Sequence, residues 1–374
     1  MVNKNAQKVP SNLDYLETIR GDLFVVVGEQ HPLDRIFAYL KYIPHGPVAE
    51  PNKEWHRKGI RYKRVLPYYH YSFIRENLSS YTDFLFDCPV NDITMTAVPV
   101  NMIKNHYKPR ERIEKLYQQS GWEKDRDSRG VDKLEKKMLD LIKVLADTSN
   151  IHLQAFGVTG SILPGIHNPI FSDIDLTVYG ESNAVALRRI LVEILKNPRK
   201  GIFPLSKGIL EDSCRKQAKL YRITEKQAMY ILKRRWNHQI FRGTRFSIHP
   251  ILPRVNNYGN ILYRNEGDIQ LTGTVIDARE GLFYPPSWEL EINSSSLAVL
   301  SRGEKITLTS FEGFYQDVFN EGDKIKVYGK LEKKMKPSGD LFGYRAVVGG
   351  SDNSKVQFLE LTTPECFSER DTSE

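Results

Sequence analysis

The sequence predicts an α+β protein made of three domains. Its 374 residues exceed what one ordinary domain holds. Short strand-like apolar runs dominate both ends of the chain, whereas helical spacing appears in the middle. Composition also changes at two places, so we predict domains over residues 1–118, 128–258 and 262–364, followed by a loose tail at 365–374.

The first domain is predicted to mix α and β structure. The runs LFVVVG at 23–28 and ITMTAVPV at 93–100 have the composition of strands. Between them, RIFAYLKYI at 35–43 is amphipathic. The charged, Ser- and Gly-containing end of KPRERIEKLYQQSGWEKDRDSRG then marks the boundary to the second domain.

The second domain begins with a predicted surface helix, VDKLEKKMLDLIKVLAD at 131–147. Its apolar residues recur at helical spacing and give one apolar face opposite a Lys-rich one; they are Leu134, Met138, Leu141, Ile142 and Leu145.

Beyond Ile261 the pattern changes to about five short alternating strands separated by turn signals, which predicts an OB-like barrel. Such a barrel could stack nucleic-acid bases on Phe283, Tyr284 and Trp288, although aromatic residues near turns are more often part of the core. The default expectation is a domain that docks onto its neighbour.

Charge indicates a polyanionic partner, since the net charge is +8 and the pI is near 9.1. Residues 207–254 contain twelve Lys and Arg against three acids, whereas residues 264–374 contain thirteen bases against nineteen acids. The positive field therefore belongs to the middle of the chain.

No apolar run is long enough to span a bilayer, and the N-terminus lacks the apolar stretch of a signal peptide. The three cysteines are too far apart to suggest a disulfide framework or a zinc site. We expect a cytoplasmic protein with reduced thiols.

The segment AFGVTGSILPGIHNPIFSDIDLTVYG, residues 155–180, carries the chemistry. A strand ends at Gly160 and Ser161, and a helix or helical turn should follow. Backbone N–H groups at such a turn suit a phosphate, and a glycine allows the backbone to approach it closely. By itself a Gly-Ser turn is usually structural.

Asp173 and Asp175 follow in a predicted buried strand. Two residues apart on a strand, their side chains share one face and lie about 7 Å apart along the backbone. Two neighbouring carboxylates repel each other unless a cation neutralises them, and oxygen ligands suit Mg²⁺. A solvated strand face is the alternative.

This segment resembles the nucleotidyltransferase superfamily of the DNA polymerase β type. The resemblance lies in the order of its parts: a strand, a Gly-Ser turn, a spacer, and then two aspartates that alternate with apolar residues. The resemblance implies a polymerase β-like central domain, a mixed sheet with helices. It further implies NTP phosphates held by Gly160 and Ser161, and two Mg²⁺ or Mn²⁺ ions held by Asp173, Asp175 and a third carboxylate. The reaction would move an NMP to an acceptor hydroxyl and release pyrophosphate.

HPLDRIFAYLKYIP in the first domain and GSILPGIHNPIFSDIDLTVYG in the second, followed by a C-terminal β domain, also resemble archaeal predicted nucleotidyltransferases of unassigned substrate. That wider resemblance covers most of the chain.

The third carboxylate is where the sequence departs from the superfamily. The candidate strand TRFSIHPIL, residues 244–252, offers Ser247 and His249 instead of an acid. Three explanations remain open. Ser247 or His249 takes part in the site, an acid from another segment such as Glu211 or Asp212 supplies the third carboxylate, or the domain binds nucleotides without efficient catalysis.

The basic residues before and within this strand are candidate contacts for phosphate or nucleic acid, with a solvated helix face as the equal alternative; they are Lys233, Arg234, Arg235, Arg242 and Arg245. Nucleic acid, RNA first, is the expected acceptor. The rivals are a non-catalytic nucleotide- or nucleic-acid-binding protein and an interaction scaffold. The sequence does not give the oligomeric state.

Overall fold

The structure, a computed structural model, describes residues 9–65, 81–120, 130–253, 257–349 and 357–362. These residues form three β-sheets and five α-helices, with 39% of the described residues in strands and 27% in helices. The predicted fold class, α+β with a polymerase β-like central domain, is therefore wrong, because β-sheet dominates the described chain. The predicted tail at 365–374 lies outside the described residues.

The amphipathic segment 35–43 is part of a strand. It begins β3 (Arg35–Pro47), in which Ile36 to Ala38, Leu40 and Tyr42 are buried. Aromatic and β-branched residues favour a half-buried pleated surface. A short apolar run does not by itself distinguish a strand from a helix, and here sheet pairing decided the outcome.

The N-terminal sheet is antiparallel and has eight strands in the order β4-β5-β3-β2-β1-β8, with β7 paired to β3 and β6 paired to β7. Its other strands are β1 (Tyr15–Thr18), β2 (Leu23–Val26), β4 (Trp55–Arg57), β5 (Ile60–Arg64), β6 (Leu85–Cys88), β7 (Ile93–Pro99) and β8 (Ile103–Tyr107).

The middle sheet has five strands in the order β11-β12-β13-β10-β9, and only β10 and β13 are parallel neighbours. The strands are β9 (Phe156–Val158), β10 (Ile174–Tyr179), β11 (Ile202–Phe203), β12 (His238–Phe241) and β13 (Thr244–Ile251). All five described helices precede or interleave with them: α1 (Pro109–Ser120), α2 (Lys133–Ser149), α3 (Glu181–Lys196), α4 (Lys207–Tyr221) and α5 (Glu225–Arg234).

Helix α2 buries the apolar face that the sequence predicted, against the middle sheet and helix α3. Asp132 begins it with a capping box, in which its carboxylate accepts from the N–H of Glu135 while Glu135 accepts from the N–H of Asp132. Leu282 and Phe283, from the C-terminal segment, complete the same core. The middle sheet therefore shares its core with the C-terminal segment.

The C-terminal sheet closes into a five-stranded barrel in the order β14-β15-β16-β18-β17, with β17 returning to pair with β14 and β19 added at β17. Strands β16 and β18 are parallel and the other pairs are antiparallel. The bounds are β14 (Leu262–Asp277), β15 (Ser287–Ser295), β16 (Lys305–Ser310), β17 (Lys324–Met335), β18 (Leu341–Val348) and β19 (Phe358–Leu361).

Phe283, Tyr284 and Trp288, the residues considered as base-stacking surfaces, have structural contacts. Phe283 and Trp288 are buried, and the hydroxyl of Tyr284 donates to the carbonyl of Phe311. Helices α4 and α5 pack into the barrel core. Among the described residues, no helix combines the length and the apolar character needed to cross a membrane.

Candidate functional site

Asp173 and Asp175 lie at the start of β10, the strand between β9 and β13. Asp175 is the second residue of the strand and Asp173 immediately precedes it. Ile174 and Leu176 are fully buried, and alternation along a strand sends the two aspartates to the opposite side. The predicted carboxylate pair is therefore present on one side of a buried strand.

The two carboxylates are electrostatically coupled. Partial removal from water and the charge of Asp175 raise the pKa of Asp173 to about 6, although Arg245 and Arg64 act in the opposite direction. Asp173 nevertheless keeps access to solvent. Two accessible carboxylates that repel each other are chemically suited to bind a divalent cation.

Position 160 requires glycine because its backbone lies against the side chain of Asp175. Its φ is +65°, a left-handed conformation, and a Cβ added there would lie 2.1 Å from Oδ2 of Asp175. The N–H of Thr159, just before it, donates to the backbone carbonyl of Asp175 at 2.8 Å. Turn and strand are thus in direct contact at the predicted metal ligand.

The segment after Gly160 is a series of turns and not a helix. The N–H of Gly165 donates to the carbonyl of Ile162, and that of Ile166 donates to the carbonyl of Ser161, each at 3.1 Å. Ser161 itself is only 7% exposed. Gly160 and Ser161 remain predicted phosphate contacts, on a turn without the N-terminus of a helix.

The N-terminal sheet holds this segment in place, which the sequence did not indicate. Arg57 donates to the carbonyl of Pro164 at 3.0 Å and forms an ion pair with Glu17 at 2.6 Å. The Asn168 amide, 1% exposed, donates to the carbonyls of Pro51 and Glu54 at 2.7 and 3.1 Å. These contacts couple the turn to the first third of the chain.

Ser247 occupies the position opposite Asp175 on the parallel strand β13. Its hydroxyl donates to Oδ1 of Asp175 at 2.5 Å, and its oxygen lies 2.8 Å from Nε2 of His249. Because the single hydroxyl hydrogen goes to the carboxylate, His249 must donate the second bond from Nε2. A serine therefore stands where the resemblance implies a third acid.

Two histidines and an arginine lie behind Ser247. Burial, with Lys41 and Arg235 nearby, lowers the pKa of His249, and Asp175 opposes this. The His238 ring meets that of His249 edge-on, and its Nε2 lies 2.5 Å from a guanidinium nitrogen of Arg235. Burial lowers the pKa of Arg235 to about 10. Arg235 thus contacts a histidine behind Ser247.

The other predicted basic contacts have three different surroundings. Arg234 is used between domains, where it donates to Asp323 at 2.5 Å and to the carbonyl of Val318 at 2.9 Å. Arg242 is exposed and pairs with Asp140 at 2.6 Å. Lys233 and Arg245 are exposed, and Arg245 lies close enough to Asp173 to influence its pKa.

The acids suggested as distant replacements for the third carboxylate have other partners. Asp212 pairs with Arg215, and Glu211 lies 3.9 Å from Lys207, all on helix α4. That helix packs on the barrel, not on β10.

A second acidic group comprises Asp132, Glu135 and His167, whose ligand atoms lie within 4.8 Å of one another. Asp132 and Glu135 form the capping box of α2, Arg112 pairs with Glu135 at 2.5 Å, and His167 contacts Asp132 at 2.7 Å. Because Arg112 occupies Glu135 and the helix cap and His167 occupy Asp132, these donors are already engaged and do not fit a metal ion.

Comparison with known proteins gives one relative and no family. The chain is 26% identical to an uncharacterized protein of Methanocaldococcus jannaschii, MJ1086, over 357 residues that cover 93% of this chain and 98% of the relative. No protein-family model matches the chain. No solved structure matches it either. The resemblance to nucleotidyltransferases therefore stays a prediction.

Proposed function

We propose that the protein is a metal-dependent nucleotidyltransferase, which moves an NMP from an NTP to an acceptor hydroxyl and releases pyrophosphate. The observation that carries this proposal is the contact between Gly160 and Asp175, where a Cβ would lie 2.1 Å from the carboxylate. It joins a turn without side-chain bulk to a carboxylate pair, as binding of a metal with a triphosphate requires.

Each residue has a definite role in this proposal. Asp173 and Asp175 would hold two Mg²⁺ or Mn²⁺ ions, which supply charge neutralisation and a more acidic acceptor hydroxyl when bound. Gly160 and Ser161 contact the phosphates through the turn, and Arg245 and Arg64 add positive charge near Asp173. The acceptor oxygen forms a bond to the α-phosphorus while the bond from this phosphorus to the α–β bridging oxygen breaks; pyrophosphate leaves and the hydroxyl proton passes to water.

The acceptor is proposed to be nucleic acid, RNA first, within the cytoplasm. Support comes from charge, since residues 207–254 hold twelve Lys and Arg against three acids. Exposed Lys233 and Arg245 contribute to this field. Arg234 is paired with Asp323 and is removed from the set of proposed contacts.

A second candidate is a protein that binds nucleotide without efficient turnover. The observation that favours it is Ser247, which donates to Asp175 where a third acid is expected. A donor at this position removes one ligand site from Asp175.

Transfer of label from each α-³²P-labelled NTP to total RNA, with Mg²⁺ or Mn²⁺, tests the first candidate. Asp173→Asn/Asp175→Asn is the matched control, because it keeps side-chain shape and removes both charges. We expect label transfer by the wild type alone, and its loss when periodate has destroyed the RNA 3′-terminal diol. Metal-dependent nucleotide binding without transfer to any acceptor would support the second candidate, and absence of binding would refute both.

A further inference from the structure

An exposed apolar patch lies beside the carboxylate pair. Ile170 is 68% exposed and Phe171 is 40% exposed. Phe171 precedes Asp173 by two residues, so their Cα atoms are at most about 7 Å apart. Exposed apolar patches beside polar groups often mark ligand-binding surfaces.

Trp55 from the N-terminal sheet extends this patch. Its ring meets Phe171 edge-to-face at 5.5 Å between centroids, and it also meets Tyr42 edge-to-face at 5.4 Å. We call Trp55, Ile170 and Phe171 the aromatic platform. Two separate parts of the chain therefore build one surface.

Hydrogen bonds fix the backbone beneath the aromatic platform. The buried Asn168 accepts from the N–H of Ile170 through its side-chain oxygen at 3.0 Å, while its amide nitrogen donates to two carbonyls of the N-terminal segment. The hydroxyl oxygen of Ser172, which is 7% exposed, accepts from the N–H of Asn168 at 2.9 Å. Because the segment is held in this way, Phe171 is presented without a further folding step.

Positive charge and carboxylates border the same surface. Arg64 ends strand β5, which pairs with the strand that carries Trp55. Its charge reaches Asp173, as does that of Arg245. A ligand that fits all of these features has a planar apolar part joined to a metal-binding polyphosphate.

We propose that the aromatic platform binds the nucleobase of the incoming nucleotide, beside the site of its triphosphate. This inference rests on the proposed function and adds residues that determine nucleotide affinity. Stacking on Phe171 is tolerant of base identity, because every nucleobase has a π-face.

Calorimetric titration with two probes separates base from phosphate recognition. One probe is α,β-methylene-ATP with Mg²⁺, whose α–β linkage resists cleavage, and the other is inorganic tripolyphosphate with Mg²⁺. Phe171→Ala should weaken binding of the first about tenfold and leave the second unchanged. Phe171→Tyr keeps the ring and should bind both as the wild type does.

Phe342→Ala is the matched control, since Phe342 is 46% exposed but lies on the barrel strand β18. It should change neither affinity, and thermal unfolding should show all variants folded. If Phe171→Ala bound both probes as the wild type does, or lost both equally, the aromatic platform would not be a nucleobase site. The proposed function itself would fail separately, through absence of binding of either probe to the wild type.

Discussion

Replacing Gly160 by alanine tests whether the turn and the carboxylate must touch. The added Cβ would lie 2.1 Å from Oδ2 of Asp175, so that side chain must rotate away and lose its hydrogen bond from Ser247. A left-handed non-glycine residue costs about 1 to 2 kcal/mol, and a hydrogen bond to a charged group contributes about 1.5 to 3 kcal/mol. Gly160→Ala should therefore lower the free energy of unfolding by about 2.5 to 5 kcal/mol.

The chain provides a control in the same turn. Gly165 also has a left-handed backbone, with φ +71°, but an added Cβ there meets nothing within 4 Å. Gly165→Ala should cost only the backbone part, about 1 to 2 kcal/mol, in denaturant unfolding. It should keep metal-dependent nucleotide binding, which Gly160→Ala should lose. Equal stability and equal binding for the two variants would refute the proposed role of this contact.

Three further predictions concern charge. Ser247→Asp should strengthen Mg²⁺ binding about tenfold in calorimetry and lower metal-free stability, because it adds a third carboxylate; weaker binding would contradict this. Burial lowers the pKa of His31 from 6.5 to about 4 in the folded protein. As the pH falls, His31 is therefore protonated in the unfolded chain before it is protonated in the folded protein. Stability should drop by up to about 3 kcal/mol between those pH values, and His31→Gln should remove that part of the pH dependence in unfolding titrations. Arg234→Met should lower the free energy of unfolding by about 2 to 4 kcal/mol, because Asp323 stays buried without its cation. Lys233→Met on the same helix should lower it by under about 0.5 kcal/mol. Equal losses for the two variants would show that the ion pair contributes little to stability.

The sequence was informative where a local pattern determines the structure. Helix α2 buries the predicted apolar face because 3.6-residue periodicity is a property of the segment alone. Asp173 and Asp175 share one side of β10 for the equivalent reason in a strand, and TRFSIHPI forms β13 within the predicted bounds of 244–252. These features need no knowledge of distant partners.

Long-range pairing explains what could not be predicted. Segment 35–43 is compatible with helix and strand, and its partners β2, β5 and β7 come from separate parts of the sequence. The ion pair of Arg57 with Glu17 and its bond to Pro164 span 40 and 107 residues. A sequence shows that these residues are polar but does not show that they meet around one turn.

The charges around the carboxylate pair influence the order in which the metal ion and the nucleotide bind. Asp173 and Asp175 contribute at most two negative charges, and Arg64 and Arg245 lie close enough to counter them. Ser247 adds no charge, and burial with nearby cations favours neutral His249.

A site of such low net charge should bind free Mg²⁺ weakly, because affinity for this ion depends on anionic oxygen ligands. A triphosphate supplies the missing oxygens, so metal and nucleotide should bind together. Calorimetry with Mg²⁺ alone should then show little heat, while Mg²⁺ with α,β-methylene-ATP should show clear binding. Tight binding of Mg²⁺ alone would contradict this order and would indicate a further acidic ligand. The serine opposite Asp175 is thus compatible with catalysis, provided that the substrate brings part of the metal's ligand set.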